Sequence, residues 1–196
     1  IFCFLKPVQN IKHVLLTTEY LIQTGHKRIS FVKGSSASLG TSRSFQEYKY
    51  TLEKYGLPYD ESIVFDAKGA SYDIGYQITE KILPIISQLD AIQYSTDDNA
   101  IGGLLCLKRN GIRVPEDISV TGKTNVPESA FTSPTLTTCG SIEDQYLFYE
   151  GLIHYLVMII EKNEEYNNIS TQLYKHLSSY LVPDVLIKRE SVKKRN

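Results

Sequence analysis

The sequence predicts a parallel α/β fold, and three observations carry that prediction. Short apolar runs rich in β-branched and aromatic residues, such as Ile29-Ser30-Phe31-Val32 and Ala91-Ile92-Gln93-Tyr94, recur along the chain. Between them lie amphipathic stretches of roughly 10–15 residues, the length of crossover helices. Glycines such as Gly25, Gly56 and Gly111 close those stretches, where a left-handed residue ends a helix.

The elements follow in order. Residues 1–5 read as a buried strand that Pro7 ends. A helix is expected over 11–24, with Val14, Thr17, Thr18 and Leu21 at helical spacing, and a strand over 28–33. The small-residue loop 34–42 leads to a helix over 43–55, stopped by Gly56 and Pro58. Residues 63–65 form a strand, 71–86 a helix with Ile74, Ile78, Ile82 and Ile85 on one stripe, and 91–95 a strand. A helix over 97–110 and a strand over 118–121 complete the repeat, whose right-handed crossovers put all strand C-termini on one edge. After Gly122 the rhythm breaks into a long loop, 123–134. A short extended piece at 136–139, a long helix over 142–162, a polar turn at 162–170 and extended pieces at 179–182 and 185–188 end the fold. The basic tail 193–195 is expected to fray.

Composition narrows the function. The chain has 196 residues, 42% hydrophobic and 22% charged, an ordinary globular balance with room for one large domain or two lobes. Lys and Arg (21) nearly cancel Asp and Glu (22), so the field of the whole chain gives no case for gripping a phosphate backbone. Cys3, Cys106 and Cys139 stand far apart, and the four histidines have no metal-ligand spacing. No nucleophile elbow or phosphate-gripping loop occurs, so no catalytic residue, cofactor or metal is expected, and the chain reads as a binding module. No apolar run reaches the length of a membrane span. The chain opens inside an apolar run without an initiating Met, and we read it as a piece of a longer protein.

Four stretches carry a resemblance. They are Tyr20-Leu21-Ile22-Gln23-Thr24-Gly25-His26-Lys27-Arg28-Ile29; Asp90-Ala91-Ile92 followed by Thr96-Asp97-Asp98-Asn99-Ala100-Ile101-Gly102; the run from Gly111-Ile112-Arg113-Val114-Pro115 through Glu116-Asp117-Ile118 to Ser119-Val120-Thr121-Gly122; and Pro134-Thr135-Leu136-Thr137-Thr138. In this order they resemble the regulatory domain of the LacI/GalR family of bacterial transcription regulators, and Leu186-Ile187-Lys188-Arg189-Glu190-Ser191 is similar to that family's ending. The resemblance implies a two-lobed, periplasmic-binding-protein-like fold. Residues 1–24 and 140–165 would be a remnant of the first lobe, and 26–138 with 178–191 the second. Hinges would lie near Gly25, Cys139 and residues 167–177. It further implies a cytoplasmic repressor of carbohydrate genes, a sugar or sugar phosphate effector, a homodimer built partly by the loop 126–134, and DNA contact only through an N-terminal headpiece outside this chain. A transporter's solute-binding protein shares the lobes, and a decayed regulator that binds no sugar is a further alternative.

The same resemblance points to site residues. Thr96 and Asp98 would face the effector from a helix start, where free N–H groups and a partial positive charge meet polar ligands. Asp97 would support the site, and capping the helix explains it equally well. Arg43 can fork to hydroxyls or a carboxylate, or simply form a surface ion pair; it stands one place from the family's arginine position, which falls on Ser44. Thr124 replaces a carboxylate in Gly122-Lys123-Thr124, and Tyr72 stands in for a stacking aromatic that Ala70 lacks. Glu47 replaces a Gly, Gln9 an Asp, and Ser141-Ile142 a Gln-Pro pair. Asn10 reads as a helix cap; Tyr48, Tyr76 and Tyr155 as core or rim; Cys106 and Cys139 as buried apolar residues. His26-Lys27-Arg28 reads as a solvated basic cluster.

Overall fold

A computed structural model describes residues 13–34, 39–140, 153, 157 and 184–195. The chain divides into two compact units, one of Ile1–Ile11 with Ser141–Asp184, the other of Lys12–Gly140 with Val185–Asn196. The second unit contains nearly all the described residues. The expected strand at 1–5, most of the helix at 142–162, the piece at 179–182, and Asn10, Tyr155, Ser141 and Ile142 lie outside the described residues; within that helix, Ile153 and Val157 are helical.

The second unit runs α1 (His13–Gln23), β1 (Ile29–Lys33), α2 (Leu39–Lys54), β2 (Val64–Asp66), α3 (Tyr72–Ile82), β3 (Ala91–Tyr94), α4 (Asp97–Arg109), β4 (Ser119–Thr121), β5 (Thr138–Gly140) and β6 (Val185–Ile187). The first four strands form one parallel sheet in the order β2-β1-β3-β4, with Ile29 opposite Ala91 and Phe31 opposite Val64. β5 and β6 pair antiparallel, and Thr137 bridges Thr121 to join β5 to the sheet's edge.

Alternation along the strands gives each face its own core. Ile29, Phe31 and Ala91 pack with Val14 and Leu21 of α1 and Tyr48 and Leu52 of α2. Val32, Ile92, Tyr94 and Val120 pack with Ile78 and Ile82 of α3 and Ala100, Leu104 and Leu107 of α4. With both faces covered, β1, β3 and β4 are buried nearly throughout, the polar Ser30, Gln93, Ser119 and Thr121 included. Gly75 and Gly102 let α3 and α4 close on each other: a Cβ at Gly75 would strike the Asn99 backbone, and one at Gly102 the Tyr72 carbonyl.

Several expectations are corrected. Helix α1 lies in the unit of Lys12–Gly140 with Val185–Asn196. Its stripe of Val14 and Leu21 is buried on the sheet, and the Gln93 side-chain amide of β3 donates to the Thr17 hydroxyl at 2.6 Å. The two units meet in sequence at 11/12, 140/141 and 184/185. Helix α2 begins at Leu39 rather than 43, taking in the low-propensity Gly40, Thr41 and Ser42. Helix α3 stops at Ile82 and tightens into a 3-10 turn, Leu83–Gln88, as Pro84 has no N–H to continue the ladder.

The tail is not frayed. Val192 enters the core beside Val14, the Arg195 N–H donates to the Thr24 carbonyl at 2.7 Å, and the Arg195 guanidinium pairs with Asp90 at 3.1 Å. Nor is His26 solvated. It is fully buried, with Nδ1 2.9 Å from the Leu21 carbonyl and Nε2 2.7 Å from the Ser119 hydroxyl. A carbonyl only accepts, so Nδ1 carries the proton and Nε2 accepts from Ser119. Tyr48, Cys106 and Cys139 are buried as expected, and Tyr76 lies half-buried under Arg109.

Candidate functional site

Parallel winding places the ends of β1, β2, β3 and β4 and the starts of α2, α3 and α4 on one edge of the sheet. The chain leaves β1 for α2 on one face and β3 for α4 on the other. That divergence opens a crevice beyond the carboxyl ends of β1 and β3, the position where open α/β sheets hold ligands. Ser95, which follows β3, and Thr121, which ends β4, both carry buried hydroxyls without a hydrogen-bond partner.

The first turn of α4 organises this edge. Its N-cap is Thr96, whose hydroxyl accepts from the Asn99 N–H at 3.3 Å, so the capping role weighed for Asp97 is corrected. Asp97 is instead the first helical residue and fully buried. Its N–H donates to the Lys123 carbonyl at 2.8 Å, its Oδ2 accepts from the Val126 N–H at 3.0 Å, and its Oδ1 from the Thr138 hydroxyl at 2.7 Å. Burial holds its carboxyl above the ordinary carboxylate range; those donors and the Arg189 charge pull the other way. Gly122 is required beside it, since a Cβ there would strike Asp97 Oδ1 and press on Leu136.

The neighbouring loops are pinned to the same turn. Asn99 accepts from the Ser71 N–H at 3.1 Å and donates to the Gly69 carbonyl at 3.0 Å, which fixes the loop after β2. In the loop after β4, Thr124 and Asn125 hold positive φ, 110° and 53°, a costly conformation for a β-branched residue. Arg189 braces that loop, donating to Asn125 Oδ1 at 3.0 Å, Ser129 Oγ at 2.9 Å and the Leu136 carbonyl at 2.7 Å.

The predicted site residues sit as follows. Thr96 and Asp98 are half-buried on the first turn of α4. Tyr72 begins α3 and is 45% exposed; its phenol is held above its usual range by desolvation first, then by the carboxylates of Glu128 and Asp98. Thr124 lies in the strained loop, its N–H donating to the Cys139 carbonyl at 2.8 Å. Arg43 pairs with Glu47 at 3.2 Å along α2, the ion-pair reading. Beside it, Ser44 is buried and accepts from Lys123 Nζ at 3.1 Å. Sequence reasoning gave no role to Lys123, Asn99, Asn125 or Arg189. Only the offset of the family's arginine onto Ser44 pointed toward the Lys123 contact. Among the described residues no side chains are grouped to hold a metal, and no helix is long and apolar enough to cross a membrane.

A doubly wound sheet with polar residues and helix starts gathered on its carboxyl edge defines an α/β ligand-binding domain. The family model of the periplasmic binding protein-like domain matches residues 18–141, and the chain belongs to that family. It is 32% identical over 122 residues to the probable HTH-type transcriptional repressor ExuR of Bacillus subtilis, covering 61% of this chain and 36% of that relative. In fold it is similar to the transcription regulator CcpA of Lactococcus lactis, with a TM-score of 0.74 at 23% identity, over 92% of this chain and 61% of that one. It is likewise similar to a LacI family transcriptional regulator of Enterococcus faecium with bound ribose, with a TM-score of 0.65 at 20% identity, over 94% of this chain and 63% of that one. The chain spans about a third of the length of the curated relatives it matches.

Proposed function

We propose that this chain is the effector-sensing part of a LacI/GalR-type transcriptional repressor of carbohydrate genes, acting in the cytoplasm and not as an enzyme. The first turn of α4 carries the reading: it brings Thr96 and Asp98 to the carboxyl edge beside Tyr72 and the strained loop of Thr124. Thr96 and Asp98 hold hydroxyls of a sugar or sugar phosphate, Tyr72 stacks on its ring, and Thr124 offers a hydroxyl where the family has a carboxylate. Arg43 holds Glu47 through Nε and has its Nη groups to offer the ligand. Asp97 supports the site from below. Ribose bound to the regulator of Enterococcus faecium supports the effector class, and the repressor named among the relatives supports the output.

In the whole protein, residues 1–11 and 141–184 contribute to the first lobe, a headpiece outside this chain reads DNA, and two copies pair. An effector that prefers one arrangement of the lobes shifts the population toward it, by no more than its differential affinity. Thermal unfolding with and without ribose, cellobiose, glucuronate or glucose 6-phosphate tests the site. Stabilisation by one of these is expected and is lost in Asp98→Ala, whose unliganded melting temperature stays unchanged. A full ligand shift in Asp98→Ala would remove the effector from this edge.

A further inference from the structure

At the opposite edge of the sheet, where strands begin, Gly25, Lys27, Asp90, Lys193, Lys194 and Arg195 line a cavity of about 470 Å³. We propose that this cavity is a second binding site, for a small phosphate-bearing anion. Four of the six lining residues are cationic in a chain whose net charge is −1. The lone carboxylate is already engaged: Asp90 Oδ2 accepts from the Lys27 and Arg28 N–H groups, each at 2.8 Å, and Oδ1 pairs with Arg195. Nearby, Asp60 pairs with Arg28 and Asp117 with Arg113. Lys27, Lys193 and Lys194 therefore form no ion pair among the described residues, although Lys193 Nζ donates to the Glu116 carbonyl.

Arg195 is fixed in the wall of the cavity. Its Nη1 goes to Asp90 and its Nη2 to the Asp117 carbonyl at 2.9 Å, while its Nε is buried with no partner. Gly25 holds the wall close: its φ is +94°, and a Cβ would run into the Arg195 carbonyl. Cationic residues lining one concave mouth, on a backbone anchored at Thr24 and Ser119, suit a compact dianion. A nucleic-acid backbone would instead require basic side chains spread along a stripe or face. The volume suits a phosphorylated sugar or a pyrophosphate.

Titration calorimetry of the full chain with pyrophosphate at low ionic strength tests this site. Saturable binding is expected, weakened about tenfold or more by the exposed double substitution Lys27→Gln/Lys194→Gln. Lys49→Gln, remote on α2, and Asp98→Ala, at the carboxyl edge, are expected to bind as the parent does. Absence of binding, or binding indifferent to Lys27→Gln/Lys194→Gln, overturns the proposal. So does loss in Asp98→Ala alone, which would send the anion to the other edge. Tighter binding of duplex DNA that the same double substitution abolishes would overturn the small-anion assignment.

Discussion

Asp97 and Thr138 meet at 2.7 Å between a helix start and a strand that leads out of the unit, and the contact ties the candidate site to the crossover. The same carboxylate holds the Val126 N–H, so one buried side chain fixes α4, the loop after β4 and β5. Asp97→Ala leaves that N–H unpaired and removes a charge that acts on Arg189, and is expected to cost about 3 kcal/mol. Asp97→Asn keeps an acceptor for Val126 and is expected to stay within about 1 kcal/mol of the parent. Urea unfolding checks both; equal losses would show that charge, not geometry, is what the position requires.

Helices α3 and α4 approach at Gly102 against the Tyr72 carbonyl. Gly102→Ala raises local helix propensity yet forces backbone apart, and a net loss of about 1–3 kcal/mol is expected in chemical denaturation. A more stable variant would mean that the two helices slide without cost.

Burial lowers the pKa of His26 below its ordinary 6.5, opposed by the Leu21 carbonyl and Asp90 and assisted by Arg195 and Lys193. Its unfolded form binds a proton that the folded form refuses, so stability is complete above about pH 6.5 and falls as pH drops toward the lowered value. Melting temperatures at pH 5.5 and 7.5 are expected to differ more in the parent than in His26→Gln. Identical differences would assign the slope to another group.

Phe131 is 86% exposed at the end of the turn Pro127–Ala130, within the loop proposed to join two copies. A large aromatic in water is the kind of anchor that an interface buries. Phe131→Glu is expected to shift sedimentation velocity from dimer to monomer at micromolar concentration without changing the melting of the monomer. A dimer that survives the substitution lies on another face.

The sheet was legible because its signals are local. Ile29 and Phe31 on one face with Val32 on the other, and glycine at the ends of α1, α2 and α4, leave few other foldings for those segments. Thr96 and Asp98 were legible as a strand-to-helix turn, though which of Thr96 and Asp97 caps it depends on Thr138, 41 residues away. The tail and His26 were misread for the same reason. Lys-Lys-Arg and His-Lys-Arg look solvated in sequence, but the partners of Arg195 and His26, Asp90 just before β3 and Ser119 on β4, are distant in the chain. Unit membership of α1 was also invisible, because an amphipathic stripe says that something is buried and not against which sheet.

The last described residues have a consequence for synthesis. Val120 N–H donates to the Ser191 carbonyl, the Ser191 hydroxyl accepts from Thr137 and donates to Val120, and Arg195 closes on Thr24. Residues 12–140 therefore emerge from the ribosome with their sheet edge and their first helix still lacking partners that are made some fifty residues later. Until residues 185–195 are translated, the domain exposes an unpaired edge and the apolar socket of Val192, and that interval is its period of greatest exposure to chaperones and to aggregation.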